Sequence, residues 1–519
     1  MISQIDPRLV YPESVLFHDY VSETEPALRL FERDPTNFSE AASEIKTRSF
    51  PREEISERLR VYNERLGASA KALANVDALG RPSTLCVIGG QQAGFLGGPA
   101  YTAYKILSAL RVAAKLEDEL GVRVIPIFWL ATEDHDFTEI NRALFLDDDG
   151  SIRKVSFPSP KRGHPIESLP ITQEIRQAAD EVFARFPESL ADVRNLFAPG
   201  DEDDYSIWHA RIWSRLFSGD GLVLVEPRIV RSLSGQFFHD VLSRFEEVSA
   251  ALRLGRDLVV QSGYDPPLDP DRVGRPFHFE PSGSRIRIDD PNEHAAAALQ
   301  SPESYSADVA LRPILADTLF PTVASVLGPS ELTYHAMLRP LYRVFNVAQP
   351  VFVPRHGYTL LSQAESELLR RLEVPIECAL ADGFDPKEIL KGASSATLRS
   401  AFGETRRGVE SSLAALLPSL QELDPGLEAR WRQTASHAGQ AIDRLEDRAV
   451  RADLARSGLS PKRLQALGTS LRPAGKPQER GLSFVHFAAR FGVEWIHDLP
   501  GSEHPDRFAH YAVTIRGGE

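Results

Sequence analysis

The sequence predicts an α/β protein, a parallel sheet carrying helices, joined to an α-helical coiled-coil domain. Three observations predict it. Between Thr84 and Asn141 an apolar run, a glycine-rich turn, a stretch of helical period and a second apolar run follow in the order of a β-α-β unit. Between Thr322 and Tyr334 an apolar run again ends in glycine and proline before a helical pattern. From about Leu398 to Ala455 the apolar residues fall into alternating steps of four and three.

In the first unit, Leu85 to Ile88 reads as a buried strand that ends at Gly89 and Gly90. Gln91, Gln92, Ala93 and Gly94 follow, then Gly97, Gly98 and Pro99. Glycines here would let the backbone approach an anion, and Pro99 suits the first turn of a helix. The same turn reads equally well as a tight packed turn. From Tyr101, the residues Tyr104, Leu107, Ala109, Leu110, Val112 and Leu116 form one helical face, which ends before Gly121. Lys105 lies in the first turns, where it could neutralise a phosphate or carboxylate or simply be a surface lysine. Val122 to Leu130 is the next strand, with Phe128 and Trp129 expected in the core.

Two strands joined by a helix favour a parallel pair, and ligands then sit at the C-terminal strand ends. That places the loop 89–98 opposite Glu133, Asp134, His135 and Asp136. Three acids within four residues repel unless a cation, a substrate ammonium or an arginine holds them. The alternative is a solvated loop or a helix N-cap before Glu139. The spacing fits neither the GxGxxG fingerprint nor the GxxxxGK[ST] phosphate loop.

The remaining chain sets the bounds. At 519 residues two or three domains are expected, and a formal charge of −14 argues against a nucleic-acid partner. Cys86 and Cys378 are the only cysteines, which excludes a disulfide framework and suggests two buried free thiols. No secretory leader or apolar run of about 18 residues is present, so a cytoplasmic location is expected. Residues 1–80 read as helices. A hairpin is expected around Asp148, Asp149 and Gly150, then helices over 172–186 and 206–217, a strand over 222–225 and a helix over 231–250. Residues 264–285 read as loops and short strands. Thr322 to Leu327 and Val351 to Pro354 are further strands, the second delivering Arg355 and His356 at its end. The seam residues Val409, Leu413, Leu416, Leu420 and Leu423, then Trp431, Ala435, Ala438, Ile442, Leu445 and Ala449, fold back at Pro425 and Gly426 as a coiled-coil hairpin. The basic run 472–480 reads as an exposed loop.

The strings GGQQAGFLGGPAYTAYKI and IPIFWLATEDHDFTEIN closely resemble the signature of the bacillithiol biosynthesis cysteine-adding enzymes, the BshC cysteine ligase family. RPILADTLFPTVASVLGPSELTYHAML, PVFVPRHGYTLL and LRPAGKPQERGLSFVHFAARFG carry the resemblance to the C-terminal end. It implies a Rossmann-like core with connective-peptide-type insertions, and a ligase that forms an amide between cysteine and glucosaminyl malate in the last step of bacillithiol synthesis. The implied layout is a helical lead-in over 1–80, core halves over 81–141 and 221–375, a connective insertion over 142–220, a coiled-coil hairpin over 376–460 and a return to the core over 461–519.

The resemblance and the strand ends together give the candidate site. Asp134, His135 and Asp136 are the expected catalytic residues, an acid holding cysteine's ammonium and His135 serving as base toward the amine. Gly90, Gln91, Gln92, Gly94, Gly97, Gly98, Tyr101, Lys105, Glu133, Gly328, Glu331, Tyr334 and Arg355 are expected to bind substrate or nucleotide. Glu331 could equally be a first-turn helix acid, and Arg312 and Arg355 either carboxylate binders or members of structural ion pairs. Joining a carboxylate to an amine requires an activated carboxyl, so ATP is expected from the chemistry, although HIGH and KMSKS signatures are both missing. His209, His335 and His356 lack an i,i+4 partner and HExxH is absent, so no metal is expected. An aminoacyl-transferase using pre-activated cysteine and a non-catalytic coiled-coil scaffold remain as alternatives. The broad apolar stripe of the arms, together with the resemblance, points to a homodimer, the alternative being an arm that packs back on its own core.

Overall fold

Leu85 and Val87 face one side of their strand and Cys86 and Ile88 the other, and all four are buried, as the two-residue period of a strand covered on both faces requires. The computed structural model describes residues 2–147, 149–158, 163–381, 389, 391–392, 394–456, 461–501, 504 and 506–516. Its strands in chain order are β1 (Ile2–Ile5), β2 (Leu85–Gln91), β3 (Val124–Leu130), β4 (Arg142–Leu146), β5 (Ile152–Ser156), β6 (Val223–Val225), β7 (Phe277–Phe279), β8 (Arg285–Arg287), β9 (Tyr305–Ser306), β10 (Thr322–Leu327), β11 (Val351–Pro354), β12 (Gly357–Leu361) and β13 (His510–Thr514).

The central sheet has the order β11-β10-β2-β3-β6, and every pair in it is parallel. The chain runs outward from β2 through β3 to β6, then returns to place β10 on the other side of β2. The order therefore reverses between β2 and β10, and the crevice beyond their C-terminal ends is where such sheets bind ligands. One face packs against the helices Tyr101–Leu120 and Phe38–Ile45 through Val112, Leu116, Phe38 and Ile45. The opposite face packs on Ile55, Leu59, Val76, Phe238, Val241 and Leu315. Phe128 and Trp129 are core residues, as expected.

The connective region contains the hairpin β4-β5 and the helices Gln173–Phe183 and Tyr205–Leu216. Of its expected turn residues, Asp148 lies outside the described residues. The helix expected over 231–250 is instead two, Gly235–Ser243 and Phe245–Gln261, broken at Arg244. The lead-in is not wholly helical. Ile2–Ile5 pairs antiparallel with β13, which runs parallel to β12, a long-range pairing that four residues of sequence do not announce.

The chain divides into two units, Met1–Phe145 with Arg153–Ser362 and Lys476–Glu519, and Leu146–Ile152 with Gln363–Gly475. Within the second unit the helices Ala396–Leu423 and Leu427–Arg456 fold back at Asp424, whose side chain accepts from the Gly426 N–H at 2.8 Å. Trp431 donates across the seam to the Leu413 carbonyl at 2.7 Å, and Arg406 meets Asp443 and Glu446. The seam departs from the expected register: Leu417 is half-buried while Leu416 is 54% exposed. Leu423 and Leu445 are also exposed rather than in the seam.

Two further expectations are corrected. Cys378 is exposed, because the helix Ile376–Leu380 buries Ile376, Ala379 and Leu380 on its other face. The run 472–480 is not an exposed loop throughout: Gln478 and Glu479 begin the short helix Gln478–Gly481 and are each 1% exposed.

Candidate functional site

Two clusters of polar side chains lie at the C-terminal ends of the sheet strands. The first occupies the crevice between β2 and β10. Lys105, on the helix that follows β2, is 1% exposed and donates to the Gly90 carbonyl at 2.7 Å, to Gln91 Oε1 at 3.0 Å and to Glu331 Oε2 at 2.5 Å. An ammonium has three hydrogens, so all of them are engaged. Burial holds the Lys105 pKa below its usual range, against the opposing pull of Glu331. The same Glu331 oxygen accepts the Gly328 N–H at 2.7 Å, a helix-capping contact that fixes the carboxylate at the start of the helix Pro329–His335. Oε1 of Glu331 has no partner among the described residues.

Tyr101 stands beside this clamp, its hydroxyl accepting from Gln91 at 3.2 Å. Two guanidinium groups lie near its ring, Arg355 at 5.3 Å and Arg480 at 5.5 Å from the centroid. Arg355 is fully buried and forms a two-point ion pair with Glu479, which also accepts from the Tyr11 hydroxyl. Burial tends to raise the Glu479 carboxyl, but Arg355 outweighs it and holds the group ionised. Arg480 is exposed and has no carboxylate partner among the described residues.

The second cluster follows β3. Gln92 donates to Asp134 Oδ2 at 2.7 Å and the Ala131 N–H reaches the Gln91 carbonyl at 2.9 Å, so the loops after β2 and β3 do face each other. Asp134 Oδ1 accepts the N–H groups of His135 and Asp136 at 2.7 and 3.2 Å. Burial pushes the Asp134 carboxyl up, yet Arg312, Gln92 and the Asp136 N–H together hold it below its ordinary value. Asp136 caps the helix Phe137–Ile140 through Oδ1, which accepts from the Thr138 N–H and hydroxyl and leaves Oδ2 unengaged among the described residues.

The charge of the acid run is met by arginines. Glu133, 1% exposed, lies 3.4 Å from Arg312 and 3.9 Å from Arg231. Arg231 is also paired with Glu167 at 2.7 Å, and its guanidinium carbon lies 4.7 Å from the Phe279 ring centroid. Arg285 donates to His135 Nδ1 at 2.9 Å. Segment 166–167 closes the group by backbone bonds from the Ile166 N–H to the Asp134 carbonyl and from the Glu167 N–H to the Thr132 carbonyl. Tyr334 is half-buried and stacked on His335 at 4.8 Å.

Of the expected residues, Gly90, Gln91, Tyr101, Lys105, Gly328, Glu331 and Arg355 therefore gather at the crevice, and Gln92 and Glu133 to Asp136 at the neighbouring strand end. Gly94, Gly97 and Gly98 are placed differently. They are buried, and a Cβ on Gly97 would meet Trp213 at 3.3 Å and Phe484 at 3.5 Å. The Ala100 N–H at the start of the following helix is taken by the Leu482 carbonyl at 3.1 Å, and the Gly98 carbonyl by Phe484 N–H at 2.8 Å. The turn is thus packed against the protein's own backbone. His209 completes it: Nδ1 lies 2.9 Å from the Gly94 carbonyl, while Nε2 accepts from Trp213 at 3.0 Å.

Sequence reasoning missed Arg231, Arg285, Glu167, Glu479 and Arg480. Each comes from a segment remote from the strand ends, and only the lysine and arginine content of the 472–480 run signalled any of them. Among the described residues no group of three or more His, Cys, Asp or Glu side chains is placed to hold a metal, and no helix is long and apolar enough to cross a membrane.

Comparison with known proteins gives family matches over nearly the whole chain. Residues 4–356 match the model of the bacillithiol biosynthesis BshC N-terminal Rossmann-like domain, and residues 358–515 that of the BshC C-terminal coiled-coil domain. A Geobacillus thermodenitrificans protein named "Putative cysteine ligase BshC" is 28% identical, the alignment covering 96% of this chain and 97% of that one. Proteins of the same name from Bacillus cytotoxicus and Bacillus thuringiensis are each 27% identical, over 96% and 93% of this chain and 97% and 95% of theirs. With a parallel Rossmann-like sheet, a coiled-coil hairpin and family matches that run almost end to end, the chain belongs to the BshC family of bacillithiol biosynthesis.

Proposed function

We propose that this protein is a cysteine ligase that joins the carboxyl of L-cysteine to the amine of glucosaminyl malate, the last step of bacillithiol synthesis. The observation that carries the reading is the match of both family models across nearly the whole chain. The geometry supports it by leaving complementary groups unengaged at one rim. Glu331 Oε1 and Asp136 Oδ2 suit an amino acid's ammonium, and the exposed Arg480 suits an anionic carboxylate or phosphate. His135 stands between acids at the same rim, and in this reading it belongs to the reaction centre.

Amide formation from a carboxylate lacks a good leaving group, so the carboxyl is activated first, as an adenylate or acyl phosphate formed from ATP. Catalysis then rests on holding amine and activated carboxyl together and on stabilising the charge that develops between them. The protein acts in the cytoplasm as a homodimer formed through the coiled-coil arms.

The test incubates the purified protein with ATP, cysteine and glucosaminyl malate and reads the product by mass spectrometry. Bacillithiol formed with ATP consumption is the expected result. Product formed only when an activated cysteine donor is supplied would make the protein an aminoacyl-transferase instead. No product in either case, with unchanged thiol pools in a knockout strain, would leave a scaffold.

A further inference from the structure

An arginine carries only donors, so the 2.9 Å contact between Arg285 Nη1 and His135 Nδ1 fixes which ring nitrogen bears the proton. Nδ1 accepts, and in the neutral ring the hydrogen therefore sits on Nε2. Arg285 is not free to turn away. Its Nε donates to Ser306 Oγ at 2.8 Å, its Nη2 to the Ala307 carbonyl at 2.6 Å, and its guanidinium carbon lies 3.8 Å from the centroid of the Phe277 ring. The side chain is buried, so breaking these contacts would orphan donors away from water.

Burial and the neighbouring arginines favour the neutral ring. Burial, then Arg285 and Arg287, hold His135 below its ordinary pKa, opposed by Asp134 and Asp136. Neither Asp134 oxygen is bonded to the ring: Oδ2 accepts from Gln92, and Oδ1 from the N–H groups of residues 135 and 136. Nε2 has no partner among the described residues, and the ring is half-buried at the rim where the strand ends converge.

We propose that His135 acts as a hydrogen-bond donor through Nε2–H toward the oxygen that becomes negative during amide formation, and that Arg285 is the positioning residue that holds the ring in this form. The proposal rests on the ligase reading above. A general base needs an available lone pair, and with Nδ1 engaged and Nε2 protonated His135 offers none. In the step itself the amine nitrogen's lone pair forms the C–N bond to the carboxyl carbon of a mixed anhydride of cysteine and phosphate. The C=O π pair moves onto oxygen, where Nε2–H meets it. The pair then returns as the C–O bond to the phosphate group breaks, the leaving group departs with that bond's electrons, and the surplus amine proton passes to water.

The test uses the full chain labelled with ¹⁵N-histidine, with the His135 signals assigned by their loss in His135→Gln. Long-range ¹H–¹⁵N spectra are expected to show a neutral ring protonated at Nε2 at about pH 7.5 that titrates below the ordinary value of about 6.5, and in Arg285→Met a mixture of tautomers titrating nearer that value. A ring protonated at Nδ1 in the wild type, or identical titration in both proteins, overturns the Arg285 role. In turnover, His135→Ala should lose roughly 10²-fold, the cost of removing one such donor, while His135→Gln, which keeps an N–H, should retain at least about ten times more activity than the alanine variant. Equal losses overturn the donor role. Should Arg285→Met fail to fold, the wild-type spectrum and the glutamine and alanine pair decide the matter. A wild type without ligase turnover would overturn the reaction reading alone, and the spectra would still decide the tautomer.

Discussion

The Lys105 ammonium lies 2.5 Å from the Glu331 carboxylate, across the point where the strand order of the central sheet reverses. It joins the two halves of the core, since its other two hydrogens go to Gly90 and Gln91 at the end of β2. Lys105 is buried while Glu331 is 26% exposed, so losing the pair costs about 1–3 kcal/mol. Lys105→Met should therefore lower the urea midpoint of unfolding by a corresponding amount, and Glu331→Gln, which leaves the buried Lys105 ammonium without its counter-charge, should lower it too. Unchanged stability with lost substrate affinity would instead make Lys105 a ligand-binding cation.

The glycine turn makes a second prediction. A Cβ on Gly94 would lie 2.6 Å from the Gly98 Cα, a backbone atom that cannot swing aside, and Gly97 has φ of +92°. Gly94→Ala and Gly97→Ala should each destabilise the protein by about 1–3 kcal/mol. Gly98 has φ of +69° and a Cβ there would meet Gly94 at 3.1 Å, so Gly98→Val should also act on folding. Thermal melts of the three variants check this. A variant with wild-type melting but no anion binding would restore the turn as a ligand cradle.

How much of this was legible in the sequence differs by kind of contact. The strands Thr322–Leu327 and Val351–Pro354 and the helix Phe38–Ile45 appear where local period places them, because burial on both faces or on one stripe writes itself into a few consecutive residues. The acid run and its need for arginine were legible too. Which arginines answer it was not: Arg231 and Arg285 reach the strand end from 98 residues (231 − 133) and 150 residues (285 − 135) away. The pairing of β1 with β13 and of Arg355 with Glu479 is invisible for the same reason. In the coiled coil, Leu416 and Leu417 are adjacent leucines, and composition alone cannot say which of them the partner arm covers.

Acid should destabilise the sheet unit through its buried histidines. His209, His356 and His510 are held down to about 4, and His335 to about 3, by burial above all. Because these folded-state values lie below the unfolded value of 6.5, the unfolded chain binds protons first as pH falls. Stability is then complete above about pH 6.5 and declines toward pH 4, by up to about 1.4 kcal/mol per pH unit for each histidine. Urea unfolding at pH 7, 6 and 5 measures the slope. His209→Gln should reduce it by one proton's worth, and a slope unchanged by that substitution would mean that His209 is already protonated in the fold.

The arms predict an assembly. Leu416, Leu423 and Leu445 are 54%, 78% and 61% exposed, and the first two lie on the helix Ala396–Leu423, which has no buried residue. A hairpin of two helices covers one stripe of each, so apolar residues outside that stripe remain in water unless another surface covers them. A second copy meeting the first by two-fold symmetry would cover the same residues on both chains at once. The expected mass in light scattering is twice the chain's 57.5 kDa, falling to that of one chain when Leu416 and Leu420 are both replaced by glutamate. Leu420 is half-buried in the seam, so Leu416→Glu with Leu423→Glu, both at exposed positions, separates dissociation from unfolding of the hairpin. A wild-type monomer at micromolar concentration would leave the leucines as surface residues and end the dimer reading.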